Sequence, residues 1–405
     1  MHALVKPTPQ AGADWPKGLE LIDVPTPKLQ SPREVRLNVV ATGVCGTDVS
    51  IYQSQSALAQ QMQVVQAPHV TIGHEFCGVL AEAGTEAVRH LAALALQRPF
   101  INERVTAFLT GKTEDDLARD PAFLDLLKTE FYMTAEMHVT CGTCLQCSIG
   151  QRHLCQHTQV QGMHRDGTYA ESVVVPAENL VIFAKGEISP DIIAFMDAIG
   201  NGVHLTQAAD VVGRSLLVTG AGVQGAVAVA LGKLLGAYPI FCTDTIPMKL
   251  DTAQRLGADF VFNMSEPNAQ ENLQKTIHDH TDGNGVDVAF EVSGKYPAYS
   301  DMFNNVRLGG SVVLLGLPSG AYPLDFSKIV IFRGLTIIGV YGRRVFDSWH
   351  LMEELLSQGL AETLLDNGII THRLPLERYE EGFQALEQGK AIKVLLYPNG
   401  LPSST

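Results

Sequence analysis

Leu216 to Gly236 reads LLVTGAGVQGAVAVALGKLLG, and its three parts decide the fold. Leu216, Leu217 and Val218 form the short apolar run of a strand buried on both faces. Gly220-Ala-Gly222-Val-Gln224-Gly225 follows as G-x-G-x-x-G, and Ala226, Ala228, Ala230, Leu231 and Leu234 continue at helical spacing. In this order each glycine has a task. Gly220 makes the tight turn, Gly222 lets a pyrophosphate approach the backbone, and Gly225 lets the helix pack close to the strand. The free N–H groups and dipole at the helix start then attract phosphate. A second strand, Pro239 to Thr243, ends at Asp244, 19 residues after Gly225. A carboxylate there accepts from a ribose diol and repels a 2′-phosphate, which predicts NAD rather than NADP. A merely structural turn would account for the glycines but not for Asp244.

The same rhythm continues downstream. A helix is expected over Met248 to Leu256, and strands over Phe260 to Phe262, Val286 to Phe290, Ser311 to Leu315 and Leu335 to Tyr341. Alternating strands and helices predict a parallel, doubly wound α/β sheet. Upstream, Glu34 to Ala41 alternates polar and apolar residues as a half-buried strand does, so the N-terminal part reads as β-rich. Ser348 to Leu360 is an amphipathic helix, and Ala391 to Tyr397 reads as a strand returning to the first domain.

At 405 residues the chain holds two domains. With 46% hydrophobic and 18% charged residues it is globular, and its net charge of −14 argues against nucleic-acid or anionic-membrane partners. There is no run of about 18 apolar residues and no signal-peptide core. Seven cysteines, four of them clustered, point to metal use in a reducing, cytoplasmic compartment rather than to disulfides.

Cys141-x-x-Cys144-x-x-Cys147 with Cys155 eight residues later can close a tetrahedral site of four thiolates. Having no open position, such a site is structural. An iron–sulfur cluster is the rival, but its bacterial spacing puts the fourth cysteine four residues on and before a proline, whereas Gln156 follows Cys155 here. A second set is scattered: Cys45 in Gly43-Val-Cys-Gly-Thr47-Asp48-Val-Ser50, and Gly73-His74-Glu75. Alone, each fragment is unremarkable. Together they offer ligands to one zinc ion.

Taken in chain order, Gly43 to Asp48, Gly73 to Glu75, the four-cysteine lobe and the glycine loop with its acidic strand end resemble the zinc-dependent medium-chain dehydrogenases. Asp197-Ala-Ile-Gly-Asn-Gly-Val-His204, Gly339-Val-Tyr-Gly-Arg343, Phe346-Asp-Ser-Trp and Ile370-Thr-His-Arg373 are similar to the threonine dehydrogenase branch of that family. The resemblance implies a Rossmann domain over 190–343 and a mainly β, GroES-like catalytic domain over 1–189 and 344–405. It implies catalytic and structural zinc, NAD, a homodimer or homotetramer, and oxidation of a secondary alcohol. That alcohol is threonine-like or, alternatively, a polyol or diol. Cys45, His74 and a carboxylate would hold the catalytic zinc. The carboxylate is Glu75 or Asp197, with the resemblance favouring Asp197 and leaving Glu75 exchanging or beside the metal. Thr47 would start a proton relay. Where the family has histidine three residues later, this chain has Ser50, which cannot store a proton near neutral pH. Gln224, Asp244 and Lys249 would contact the dinucleotide, Leu315, Leu317, Val340 and Tyr341 would line its nicotinamide side, and His138 would face the substrate.

Val88 to Ile101 and Thr110 to Tyr132 stand outside the resemblance. Both read as short amphipathic helices with acidic outer faces, expected as surface decoration or, alternatively, as an oligomer contact or a cover over the active-site cleft.

Overall fold

The computed structural model describes residues 1–97 and 99–402. The chain forms two compact units, Met1–Met196 with Ile370–Thr405, and Asp197–Ile369.

In the second unit six parallel strands lie side by side: Phe260–Asn263, Ile240–Asp244, Leu216–Thr219, Val286–Glu291, Val306–Leu314 and Thr336–Gly339. Leu216–Thr219 is central and wholly buried, as its uninterrupted apolar run requires. The strand order reverses on either side of it. In an open α/β sheet that reversal marks the crevice where ligands bind. The helix Val223–Leu234 follows it, with Gly225 through Gly232 buried.

In the first unit the long strand Glu34–Gly43 pairs with Glu75–Ala83, with Ser172–Pro176 and with Lys393–Tyr397, all antiparallel. A three-stranded sheet of Glu20–Asp23, His2–Pro7 and His69–Thr71 stands apart.

Two features differ from the sequence reading. The units divide at 196/197 and 369/370, where the sequence had suggested 189/190 and 343/344. The reason is packing: Asp347–Leu355 buries Trp349 and Met352, and the segments Leu356–Leu360 and Ala361–Asp366 lie against the helix Val223–Leu234. Only at Ile370–Pro375, which pairs with Lys393–Tyr397, does the chain rejoin the first unit. The two added stretches also do more than decorate. Together with the residues that flank and separate them they form four helices, Thr85–Leu96, Glu103–Leu109, Glu114–Arg119 and Pro121–Glu130, the second of which lies between the two stretches, with residue 98 outside the described residues. Three carry side-chain caps, from Asn102, Thr113 and Asp120. Leu91, Val105, Leu117, Phe123 and Leu127 are buried in one core with Val35, Leu37 and Val39 of the long strand. The acidic faces stay in water while the apolar faces complete the unit's core. Among the described residues no helix is long and apolar enough to cross a membrane.

Candidate active site

The strand Glu34–Gly43 delivers Cys45, the N-cap of the helix Gly46–Tyr52. Three residues on, Asp48 turns inward. Its Oδ2 accepts from the Cys45 backbone N–H at 2.9 Å and from the Tyr169 hydroxyl at 2.7 Å. Its Oδ1 faces Nδ1 of His74 at 3.4 Å, which leaves Nε2 as the ring nitrogen available to a metal. Gly73, just before, sits at φ +90, where a Cβ would strike the Tyr169 ring. Glu75 opens the strand Glu75–Ala83 directly opposite Gly43. One ligand atom each from Cys45, His74 and Glu75 lies within 4.8 Å of the others.

Cys45 keeps part of its surface open, yet burial is the largest influence on its thiol and raises its pKa, with the Glu75 charge adding to this. Burial pushes the His74 imidazolium the other way, but the charge and hydrogen bond of Asp48 overcome it and hold the pKa well above the usual range. For Asp48 burial opposes ionisation, and His74 reverses that, so its carboxyl ends below the ordinary value. A divalent metal demands thiolate and neutral imidazole and so changes the charge on both ligands. The donor set of one soft sulfur, one imidazole oriented by a carboxylate, and one carboxylate fits zinc.

Asp197 belongs to the other unit, in the first turn of the helix Met196–Ala208. There its carboxylate is ion-paired with Arg343, whose guanidinium lies 5.4 Å from the Trp349 ring centre. Both charged side chains are buried. Gly200 makes room for this pair: a Cβ there would stand 2.8 Å from Cδ of Arg343.

The four cysteines of the lobe also come together, all offering sulfur within 4.8 Å of one another. Sγ of Cys155 is 3.6 Å from Sγ of Cys141 and 3.9 Å from Sγ of Cys144. Tetrahedral zinc with Zn–S bonds of about 2.3 Å needs sulfurs about 3.8 Å apart. Backbone N–H groups serve the sulfurs: Cys144 N donates to Cys141, and Cys141 N and His157 N donate to Cys155, each at 3.4 Å. N–H donation led by Thr143 brings the Cys141 thiol down to about 5, while burial pushes Cys147 up to about 12.

In the second unit Gly220 adopts φ +101, and a Cβ on Gly225 would collide with the Gly220 carbonyl. A Cβ on Gly222 would instead meet open space, as a phosphate cradle requires. The first turn of Val223–Leu234 has no side-chain cap, so its N–H groups are available. Oε1 of Gln224 is buried without a hydrogen-bond partner among the described residues. Asp244 ends its strand as expected, and its carboxylate braces the loop, accepting from Ala221 N at 2.7 Å, Thr245 N at 2.7 Å and Ile246 N at 3.0 Å. An ionised carboxylate has about four acceptor positions, so capacity remains for a ribose hydroxyl.

Thr47 and Ser50 stand three residues apart on the helix Gly46–Tyr52, hence on one face, and both are half-buried. His138 is buried with Nδ1 held by Oε1 of Glu136 at 2.7 Å. Lys249 is half-buried on Pro247–Arg255. Leu315 is half-buried and Val340 buried, while Leu317 and Tyr341 stand exposed. Sequence reasoning gave no role to Asp48, Tyr169, Lys393 or Arg343. The signal for Lys393 was present: it is the lone charge in the apolar strand Lys393–Tyr397.

Removing a hydride from an alcohol calls for a Lewis acid at the oxygen and a dinucleotide to take the hydride, and this chain has a candidate seat for each. That is the chemistry of a metal-dependent alcohol dehydrogenase. The comparisons agree. Residues 31–93 and 133–185 match the alcohol dehydrogenase GroES-like domain, and 224–358 match the zinc-binding dehydrogenase model. The gap between 93 and 133 takes in three of the four added helices. L-threonine 3-dehydrogenase of Caldanaerobacter subterraneus is 34% identical over 98% of this chain and 99% of its own length. The enzyme of that name from Pyrococcus furiosus is 33% identical over 98% of both. An alcohol dehydrogenase structure from Thermotoga maritima superimposes with a TM-score of 0.77 over 98% of this chain and 99% of that one, at 22% identity. The chain belongs to the zinc-dependent medium-chain dehydrogenase family and is threonine dehydrogenase-like within it.

Proposed function

We propose that the protein oxidises the secondary hydroxyl of L-threonine, or of a close amino alcohol, with NAD. The observation that carries the chemistry is the cluster of Cys45, His74 and Glu75 with His74 oriented by Asp48. The relatives' shared activity supports the substrate. Zinc, when bound, supplies Lewis acidity at the substrate oxygen. Cys45 and His74 would hold it, and the carboxylate comes from Glu75 or, by resemblance, Asp197. Asp48 fixes the ring of His74, and Tyr169 fixes Asp48. The Thr47 hydroxyl takes the substrate's hydroxyl proton as it releases its own into a hydrogen-bonded chain, in which Ser50 hands a proton on towards water by the same exchange rather than by storing it. In the second unit Gly222 and the open helix start take the pyrophosphate, and Asp244 takes the ribose diol and disfavours NADP. Lys249 lies on the helix that follows Asp244, and Val340 and Tyr341 follow the edge strand, where they serve the nicotinamide side.

A homo-oligomer belongs to this reading. Among the described residues the edge strand Thr336–Gly339 has no strand neighbour on its outer side, and Leu308, Phe326, Ile331 and Phe332 of the same unit are exposed. A second copy of the chain suits that edge. All seven cysteines are free, which suits a reducing compartment such as the cytoplasm.

The test is NADH formation across L-threonine, short diols and polyols, with NAD and NADP in parallel. The expected result is the highest kcat/KM for L-threonine with NAD. A polyol or diol ahead of threonine would reassign the substrate, and NADP ahead of NAD would remove the role given to Asp244.

A further inference from the structure

Next to the cluster lies a charge that the ligand set does not use. Lys393 and Glu75 form an ion pair in which neither side chain has any exposed surface. Nζ of Lys393 also donates to the Val44 carbonyl at 3.0 Å and lies 5.7 Å from the Phe195 ring centre. Glu75 is fixed from behind, since its carbonyl accepts from Oγ1 of Thr42 at 2.7 Å. The sequence makes space for the pair at Gly43: a Cβ there would run into the Glu75 carboxylate and would stand 2.9 Å from Cε of Lys393. A buried ion pair is poor value as a source of stability, because desolvation cancels most of the attraction. Its position beside metal ligands asks for another explanation.

Charge supplies one. The Cys45 thiolate, Asp48 and Glu75 bring three negative charges to this part of the unit, and His74 as a ligand is neutral. A divalent metal together with Lys393 brings three positive charges. Among these groups of the first unit the charges balance only with both present.

We propose that Lys393 is a positioning residue that holds Glu75 through Oε2 and sets the net charge of the metal centre, thereby limiting how tightly the metal is bound. The proposal rests on the reading of Cys45 and His74 as zinc ligands. Taking away the lysine's charge leaves the carboxylate free to turn to the metal and the site one charge more negative. Both changes strengthen the hold on a cation.

The experiment follows loss of the catalytic zinc to a chelator from the full-length protein. Lys393→Met is expected to release that zinc about tenfold more slowly than the unaltered chain, as one added unit of attraction would do. Glu75→Gln, which leaves Lys393 unopposed, is expected to release it about tenfold faster. The double variant K393M/E75Q is neutral again and should return to within about threefold of the unaltered rate. With cobalt in place of zinc, the visible bands should change in K393M and revert in the double variant, because the ligand set changes and reverts. A merely structural lysine gives the opposite: K393M would damage the pocket and lose zinc faster, and that result overturns the proposal. If K393M does not fold, the comparison of E75Q with the double variant still decides, and a double variant that loses zinc as fast as E75Q is equally fatal. An unaltered protein carrying only one zinc per chain would instead remove the metal-centre reading on which the proposal stands.

Discussion

The two candidate metal-ligand clusters are built in opposite ways. The cysteine lobe takes all four ligands from residues 141–155, and backbone N–H groups of that stretch and of His157 meet its sulfurs. The Cys45 cluster takes ligands from a helix cap and from a second strand, brought together because Gly43 and Glu75 sit opposite in the sheet. Its support comes from buried charges, Asp48 behind His74 and Lys393 behind Glu75. A local, closed, backbone-supported site can stabilise structure but has no position for substrate. A site assembled by tertiary register can be left open and tuned, at the cost of depending on the whole unit.

That contrast gives its largest expected effect at Cys144. Structural zinc contributes on the order of 10–16 kcal/mol to folding in small zinc domains. Cys144→Ser should therefore release one zinc and lower the melting temperature steeply. An unchanged melting temperature would mean that the lobe is dispensable and the contrast false.

Asp48→Asn tests the other side. The ring of His74 would lose its oriented, charged partner, and loss of such a partner typically costs about 10–100-fold in metal affinity or activity. We expect a fall in kcat/KM of that size with the lobe's zinc retained. Full activity in this variant would remove Asp48 from the account.

The order of metal loss sharpens the comparison further. On slow chelation the metal at Cys45 should leave before the metal of the lobe, because four thiolates enclose the latter and three protein groups hold the former. Time-resolved zinc release with activity followed in parallel reads this directly. Activity that outlasts the first zinc would reverse the assignment.

The smallest effects belong to the helix Gly46–Tyr52. Thr47→Ala should slow alcohol oxidation more than Ser50→Ala, and the serine variant should lose less than about a hundredfold, since water can carry a proton in its place. Ser50→His restores a local base with a pKa of about 6.5 and should move the pH optimum for oxidation downward. Indifference of the rate to Thr47 would end the relay.

How much of this could be read from the sequence follows the same divide. The lobe and the glycine loop lie in short stretches whose spacing is their geometry, so Cys141 to Cys155 and Gly220 to Asp244 were legible. Cys45, His74 and Glu75 were legible only as fragments, because strand register joins them. Asp48 and Lys393 were quoted or passed over without a role, since nothing local says that an aspartate at a helix start or a lysine in an apolar strand will face His74 or Glu75, 26 or 318 residues away. The added helices showed their amphipathic pattern, yet their burial against Val35 and Leu37 depends on a partner far away in sequence. The division at 369/370 was hidden for the same reason: Trp349 and Met352 state that a helix has an apolar face but not which unit it covers.

The central claim is that one metal makes this protein an enzyme and another makes it a fold. Zinc counted per folded chain in Cys45→Ser tests it most directly. The account predicts two zinc ions in the unaltered protein and one in the variant, with the melting temperature nearly unchanged and NADH formation abolished. Two zinc ions and normal turnover in Cys45→Ser would contradict it.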